Sequence, residues 1–218
     1  MSTGDRHSQA VEPQLIDDPD EQARVEAANG LRQFDHVLNL IREWTDPGRT
    51  FKLRLSMILA LHRTALQGLS SYAGNFRPAT VTIGQSRHTP PDAHLVAGLV
   101  EEMCDYVNDN WVSKTAAHLS AYVMWRLNWI HPFADGNGRT SRALSYLVLC
   151  IRSGHILPGT KTIPEQISQN KTPYYEALEA ADEALRQGVV DVSKLEALLS
   201  SALATQLADY HRTATGDS

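Results

Sequence analysis

Apolar and polar positions along the chain alternate with a helical period almost throughout. Residues 114–129 are apolar around most of a helical circumference, which suits a buried helix. Over residues 140–152, Ala143, Leu144, Leu147, Val148 and Ile151 share one helical face. Two more helices are expected over 54–66 and 93–108. Near the start, Asp18 offers an N-cap, Pro19 suits the first helical position, and Asp20 and Glu21 place acids in the first turn. That helix is expected over 19–28, with Asn29-Gly30 as a break or cap and a second helical stretch to Glu43 or Trp44. Ser193-Lys194-Leu195-Glu196 reads as a capping box opening a last amphipathic helix to about His211. The period changes once, where Val81 and Ile83 flank Thr82 and Gly84-Gln85-Ser86 can turn the chain. The expectation is an all-α helical bundle with one small β-hairpin. Residues 1–17 are expected to be disordered, 18–44 to form N-terminal helices, 45–190 the core, and 191–218 a last helix with a frayed tail from 213.

Composition narrows the function classes. The 218 residues carry a net charge of −5 with no basic run, which argues against a nucleic-acid surface. No apolar stretch is long enough to span a bilayer, and residues 1–13 lack the apolar core of a secretory signal, so a cytoplasmic location with no membrane partner is expected. The two cysteines, Cys104 and Cys150, sit in apolar helical contexts and read as buried free thiols, without a zinc-like cluster.

The chemistry concentrates in residues 131–142, His-Pro-Phe-Ala-Asp-Gly-Asn-Gly-Arg-Thr-Ser-Arg. Pro132 disfavours helical geometry at His131, so the preceding helix should end there. Gly136 and Gly138 allow positive φ and keep Cβ atoms away, so backbone N–H groups can converge. The turn feeds a helix N-terminus, where unpaired N–H groups and the macrodipole favour an anion. Arg139 and Arg142 can fork onto phosphate oxygens, and Phe133 suits an anchor in the core. Neither a Walker A loop nor a dinucleotide fingerprint fits: no Lys has the required spacing, and Ser141 stands where the third glycine belongs. What remains is a phosphate cradle beside a histidine base.

With all its defining positions matched, this stretch resembles the signature of Fic-domain proteins, His-Pro-Phe-x-Asp/Glu-Gly-Asn-Gly-Arg-x-x-Arg. The likeness extends over about residues 23–182 and takes in Leu61-His62, the flap from Gly74 to Pro91, and Tyr174-Tyr175-Glu176-Ala177-Leu178. It implies a Fic-fold bundle that transfers AMP from ATP to a Ser, Thr or Tyr hydroxyl of a target protein. His131 would be the general base and Asp135 the ligand of Mg²⁺. Gly136, Asn137 and Gly138 would cradle the phosphates, Arg139 and Arg142 would neutralise them, and Tyr175 would flank adenine or pack behind it. Main-chain groups around Thr82 and Ile83 would pair with an extended target segment.

Regulation and its alternatives follow from the same resemblance. Family members are often held off by a glutamate on an inhibitory helix that pairs with the second motif arginine. Glu26 lies in the matching region, although Gln22 and Ala27 stand where that motif has Ser/Thr and Gly/Asn, and Glu165 and Glu176 match it less well. An external inhibitor is an alternative means of control, and a homo-oligomer that presents two sites is an alternative route to target recognition. Transfer of another nucleotide, removal of AMP, or a purely binding role also stay open. Phosphorylating relatives carry Lys where this chain has Gly138.

Overall fold

The segment expected to be most buried is the axis of the molecule. Every residue from Leu119 to Trp125 is buried in α4 (Ala116–Ile130), which packs along α5 (Asn137–Ser153). A side chain that meets protein on all sides needs no polar face, which is why this helix lacks one. The computed structural model describes residue 6, residues 8–9 and residues 12–216. Around the central pair lie α1 (Pro19–Trp44), α2 (Leu55–Leu66) and α3 (Val96–Asp109), the last entered through a short 3₁₀ turn, Ala93–Leu95. The remaining helices are α6 (Ile163–Gln169), α7 (Thr172–Arg186) and α8 (Ser193–Thr215). α1 and α2 pack on α5, whereas α3, α7 and α8 pack on α4. The protein is all-α, and its only sheet among the described residues pairs two-residue strands, β1 (Ser8–Gln9) and β2 (Thr82–Ile83).

Several helix ends follow local chemistry. The Asp18 carboxylate accepts from the Asp20 N–H at 2.9 Å, with Pro19 at the first helical position. Thr115 caps α4 by accepting from the His118 N–H at 3.0 Å. Cys104 and Cys150 are both buried free thiols.

Four expectations are corrected. α1 does not break at Asn29-Gly30. The Asn29 amide donates to the Gln67 carbonyl at 2.8 Å, so it ties α1 to the end of α2 instead of turning on its own backbone. Gly30 faces open space, a local cost that tertiary packing of α1 outweighs. The capping box at Ser193 does not form either: Val192 is the cap residue, and Glu196 accepts from the His118 ring at 2.8 Å. α8 then continues to Thr215, through most of the tail expected to fray.

The flap is the fourth correction. Its turn forms as the sequence suggests, with the Ser86 N–H on the Ile83 carbonyl at 3.2 Å and Gln85 at φ 58°. No returning strand follows it, because His88 turns inward and its Nε2 meets the Trp129 carbonyl at 2.7 Å. The pairing edge of β2 is taken instead by β1, antiparallel, with Ser8 opposite Ile83 and Gln9 opposite Thr82. Disorder was expected over 1–17; within it Ser8 and Gln9 form a strand, and residues 1–5, 7, 10 and 11 lie outside the described residues.

Candidate active site

The backbone of His131 is held in an unusual conformation. It caps α4 in the left-handed region, φ 51° and ψ 57°, while its N–H still bonds to the Leu127 carbonyl at 2.9 Å. A non-glycine residue holds that conformation only where its surroundings enforce it. Here Arg77 supplies much of the enforcement. Its Nε donates to the His131 carbonyl at 2.8 Å and its backbone N–H to the Pro132 carbonyl at 2.9 Å. The rest of the guanidinium reaches the carbonyls of Ala79, at 2.9 Å, and Pro91. The buried cation is thereby shared among carbonyl oxygens from the motif and the flap, and burial lowers its pKa.

The tautomer of His131 follows from its neighbours. Nδ1 lies 3.3 Å from the Asn128 carbonyl, which can only accept, so Nδ1 carries the proton. Nε2 is then an unprotonated acceptor, and the Ser8 hydroxyl lies 2.7 Å from it. Burial lowers the His131 pKa to about 4, against a smaller opposing effect of the Asn128 hydrogen bond, so at physiological pH the ring is neutral and its Nε2 is free to accept a proton.

The loop after His131 is closed from within. Asn137 accepts from the Phe133 N–H at 3.0 Å and donates back to its carbonyl at 2.8 Å, leaving its second N–H for Ser8 Oγ at 3.3 Å. The Asn137 side chain thereby braces the loop, and Phe133 is fully buried as an anchor. From the other side, His62 accepts the Gly74 N–H on Nδ1 at 2.9 Å and donates from Nε2 to the Asp135 carbonyl at 3.0 Å. Gly136 sits at φ 75°, and a Cβ there would come 2.4 Å from Leu66 Cδ2, so the position requires glycine. Gly138 has no positive φ; it lies inside α5, where a Cβ would approach an Arg142 nitrogen to 3.1 Å.

Gly136 precedes α5 as its cap residue without a side-chain cap, so the first N–H groups of the helix are left uncapped, and its first residues line a cavity of about 540 Å³. Gly136, Asn137, Gly138, Arg139 and Arg142 line it, with Asp135 and Tyr175. The Asp135 carboxylate is half exposed and paired with Arg139 at 2.8 Å. Among the described residues Arg142 has no ion-pair partner. Uncapped N–H groups together with two guanidinium groups make a strong anion site. Behind it, the Asn128 amide reaches Ser141 Oγ and the buried Tyr174 hydroxyl, both at 2.7 Å, which ties α4, α5 and α7 together. Asp182 accepts from the Trp125 indole at 2.8 Å and faces His88 at 3.9 Å.

Of the residues singled out by sequence, His131, Asp135 to Arg139, Arg142, Tyr175, Ile83 and Glu26 share this cavity. Thr82 lies on the strand beside it. Glu26 is exposed on α1 with its carboxylate on the Gln22 amide at 3.2 Å, and among the described residues nothing pairs it with Arg142. Sequence reasoning missed Arg77, His88, Asn128 and Asp182, and gave His62 no role. His62 and Asn128 left a signal, being polar residues within predominantly apolar helices. Arg6 and Ser8 left none, because their contacts are with residues far along the chain.

Residues 52–149 match the Fic/DOC family model, a span that contains the whole cradle and His62. Protein adenylyltransferase Fic of Drosophila willistoni is 31% identical over 153 residues, which is 67% of this chain and 28% of that protein. A protein adenylyltransferase of Caenorhabditis elegans is 30% identical over 136 residues, 60% of this chain and 24% of its own. The chain thus spans under a third of the length of these relatives. Among solved structures, a Fic-domain signalling protein from Bacteroides thetaiotaomicron superposes with a TM-score of 0.65 at 22% identity, covering 88% of this chain and 74% of that one. The fold, the motif and these matches agree: the chain belongs to the Fic/DOC family.

Proposed function

We propose that the protein transfers AMP from ATP to a hydroxyl side chain of a protein target. One observation carries this reading: the lone pair of His131 Nε2 faces a hydroxyl, at 2.7 Å, on a strand paired with the flap. A base, an acceptor oxygen and an uncapped helix N-terminus then converge on one cavity. His131 would take the acceptor proton, and the oxygen would attack the α-phosphorus with pyrophosphate leaving. The N–H groups at the start of α5, with Arg139 and Arg142, would hold the phosphates as charge shifts onto the leaving group. Tyr175, half-buried in the cavity lining, would pack against the base. The names of the curated relatives point the same way.

The donor set suits Mg²⁺ as the accompanying ion. Asp135 puts a half-exposed carboxylate on the cavity wall, and among the described residues no cluster of three His, Cys, Asp or Glu side chains forms a protein cage. Mg²⁺ commonly keeps waters and takes phosphate oxygens beside one or two carboxylates, so Asp135 is a sufficient protein ligand. Bound there, the ion would supply positive charge against the polyphosphate. Asp135 would have to exchange part of its contact with Arg139 for it.

Glu26 would act as a brake. It lies on the cavity wall with Arg142, and a carboxylate turning from Gln22 to Arg142 would withdraw that guanidinium from the phosphates. The test is label transfer to lysate proteins from α- and γ-labelled ATP in parallel, with Mg²⁺. Transfer from the α-label alone, lost in His131→Ala and raised in Glu26→Gly, is the expected result. Transfer from the γ-label would replace the reading with phosphorylation. An unchanged rate in Glu26→Gly would remove the brake.

A further inference from the structure

The chain's own N-terminal arm lies where a target segment would dock. Ser8 and Gln9 run antiparallel to Ile83 and Thr82 of the flap, and the Ser8 hydroxyl is held from two sides. It donates to His131 Nε2 at 2.7 Å and accepts from the Asn137 amide at 3.3 Å. A hydroxyl whose proton points at a base, and whose oxygen is oriented by a donor, is set up as a nucleophile. The arm is also anchored on both sides of this residue. Arg6 stacks on Tyr175, its guanidinium carbon 4.4 Å from the ring centroid, and pairs with Glu179. Its backbone N–H also donates to the Tyr175 hydroxyl at 3.3 Å. On the other side, Glu12 accepts from the Ser70 hydroxyl at 2.7 Å, the Ser71 N–H at 2.6 Å and the Ser71 hydroxyl at 3.0 Å. The arm walls the cavity without filling it: Arg6 and Ser8 line the remaining space of about 540 Å³ together with Gly136 to Arg139 and Arg142.

From this arrangement we infer that Ser8 is a modification site, accepting AMP within its own chain. The inference rests on the adenylyl-transfer reading above. In the step, Ser8 Oγ forms a bond to the α-phosphorus of ATP, and the bond from that phosphorus to the bridging oxygen of the β-phosphate breaks. The electron pair leaves with pyrophosphate, and the hydroxyl proton goes to His131 Nε2. Anchoring on both sides converts a bimolecular encounter into a pre-positioned one, so Ser8 outcompetes acceptors that arrive from solution. Modification would end the fit of the arm, because a nucleotide cannot share the space between Ser8 and His131. The first turnover thereby clears the flap edge for another strand.

The experiment incubates the full chain with Mg²⁺ and α-labelled ATP at several protein concentrations and maps the adduct by peptide mass spectrometry. Wild type, Glu26→Gly, Ser8→Ala, Ser8→Thr, Arg6→Ala and His131→Ala are compared, and lysate labelling is read in the same reactions. AMP on Ser8 at a rate independent of protein concentration is expected. It should be lost in Ser8→Ala and His131→Ala, kept in Ser8→Thr, and slowed severalfold in Arg6→Ala. Labelled lysate proteins with an unmodified Ser8 would overturn this inference alone. A Ser8 rate proportional to protein concentration would also overturn it, since the acceptor would then come from another molecule. No α-label anywhere, in any variant, would sink adenylyl transfer and this inference together.

Discussion

The His62 ring lies flat on Phe133, with centroids 3.7 Å apart and planes 6° from parallel. α2 thus holds the motif loop by a stacked face as well as by the two hydrogen bonds of the same ring. Both polar partners are backbone groups, so removing the ring strands a donor at Gly74 and an acceptor at Asp135. His62→Ala should destabilise the fold by about 3 kcal/mol from the lost packing and the unpaired groups. Urea unfolding monitored by tryptophan fluorescence would measure it. Transfer activity should fall even where the variant is fully folded, and full activity in folded His62→Ala would show that the loop holds its shape without α2.

Neutral His62 and His131 make acid pH costly. Burial lowers both pKa values to about 4, below the usual 6.5. Between these values the unfolded chain binds protons that the native state refuses, so stability is full above about 6.5 and is lost as pH falls towards 4. At roughly 1.4 kcal/mol per pH unit, each ring accounts for about 3 kcal/mol across that window. Unfolding midpoints from pH 7 to pH 4.5 should drop steeply in wild type and less steeply in His131→Ala. The acid limb of transfer should also lie near 4. A limb at 6.5 would mean that His131 is more solvated than the structure shows.

Two glycines should respond in opposite directions. Gly136→Ala puts a Cβ against Leu66 at a positive φ and should cost about 2 kcal/mol or more, with loss of nucleotide binding. Gly30→Ala fills open space in the middle of α1 and should stabilise by about 0.5–1 kcal/mol. Thermal melts of the two variants side by side give the comparison, and equal signs would refute it.

Arg77→Met keeps much of the length of the side chain and removes its donors. The carbonyls of His131, Ala79 and Pro91 then lose their partner, and a destabilisation of about 2–3 kcal/mol is expected. Because Arg77 clamps His131 through its carbonyl, kcat should fall more than KM rises. A pure stability loss with unaltered kcat in the folded fraction would assign Arg77 to the fold alone.

Much of this was legible because it is local. The buried stripe of α4, the end of that helix at His131-Pro132 and the turn into α5 each follow from a few adjacent residues. Asn29-Gly30 reads as a break for the same reason, and fails because the Asn29 amide finds its partner 38 residues away at Gln67. Glu196 likewise leaves its expected cap for His118, 78 residues distant. The Arg6 and Ser8 contacts span more than a hundred residues, and a polar arm gives no sign of the groove that receives it. Local chemistry fixes which elements form, while the partners of polar side chains are chosen by the assembled bundle.

Cys104 and Cys150 give the protein a built-in clock. Burial pushes their thiols up to about 12 and 11, so almost no thiolate exists at neutral pH, and both side chains are buried. The two sit on α3 and α5, within the hydrophobic core. An alkylating reagent can reach them only when that core opens. Their labelling rate under native conditions therefore reads out how often the bundle opens, at two positions and without any added probe.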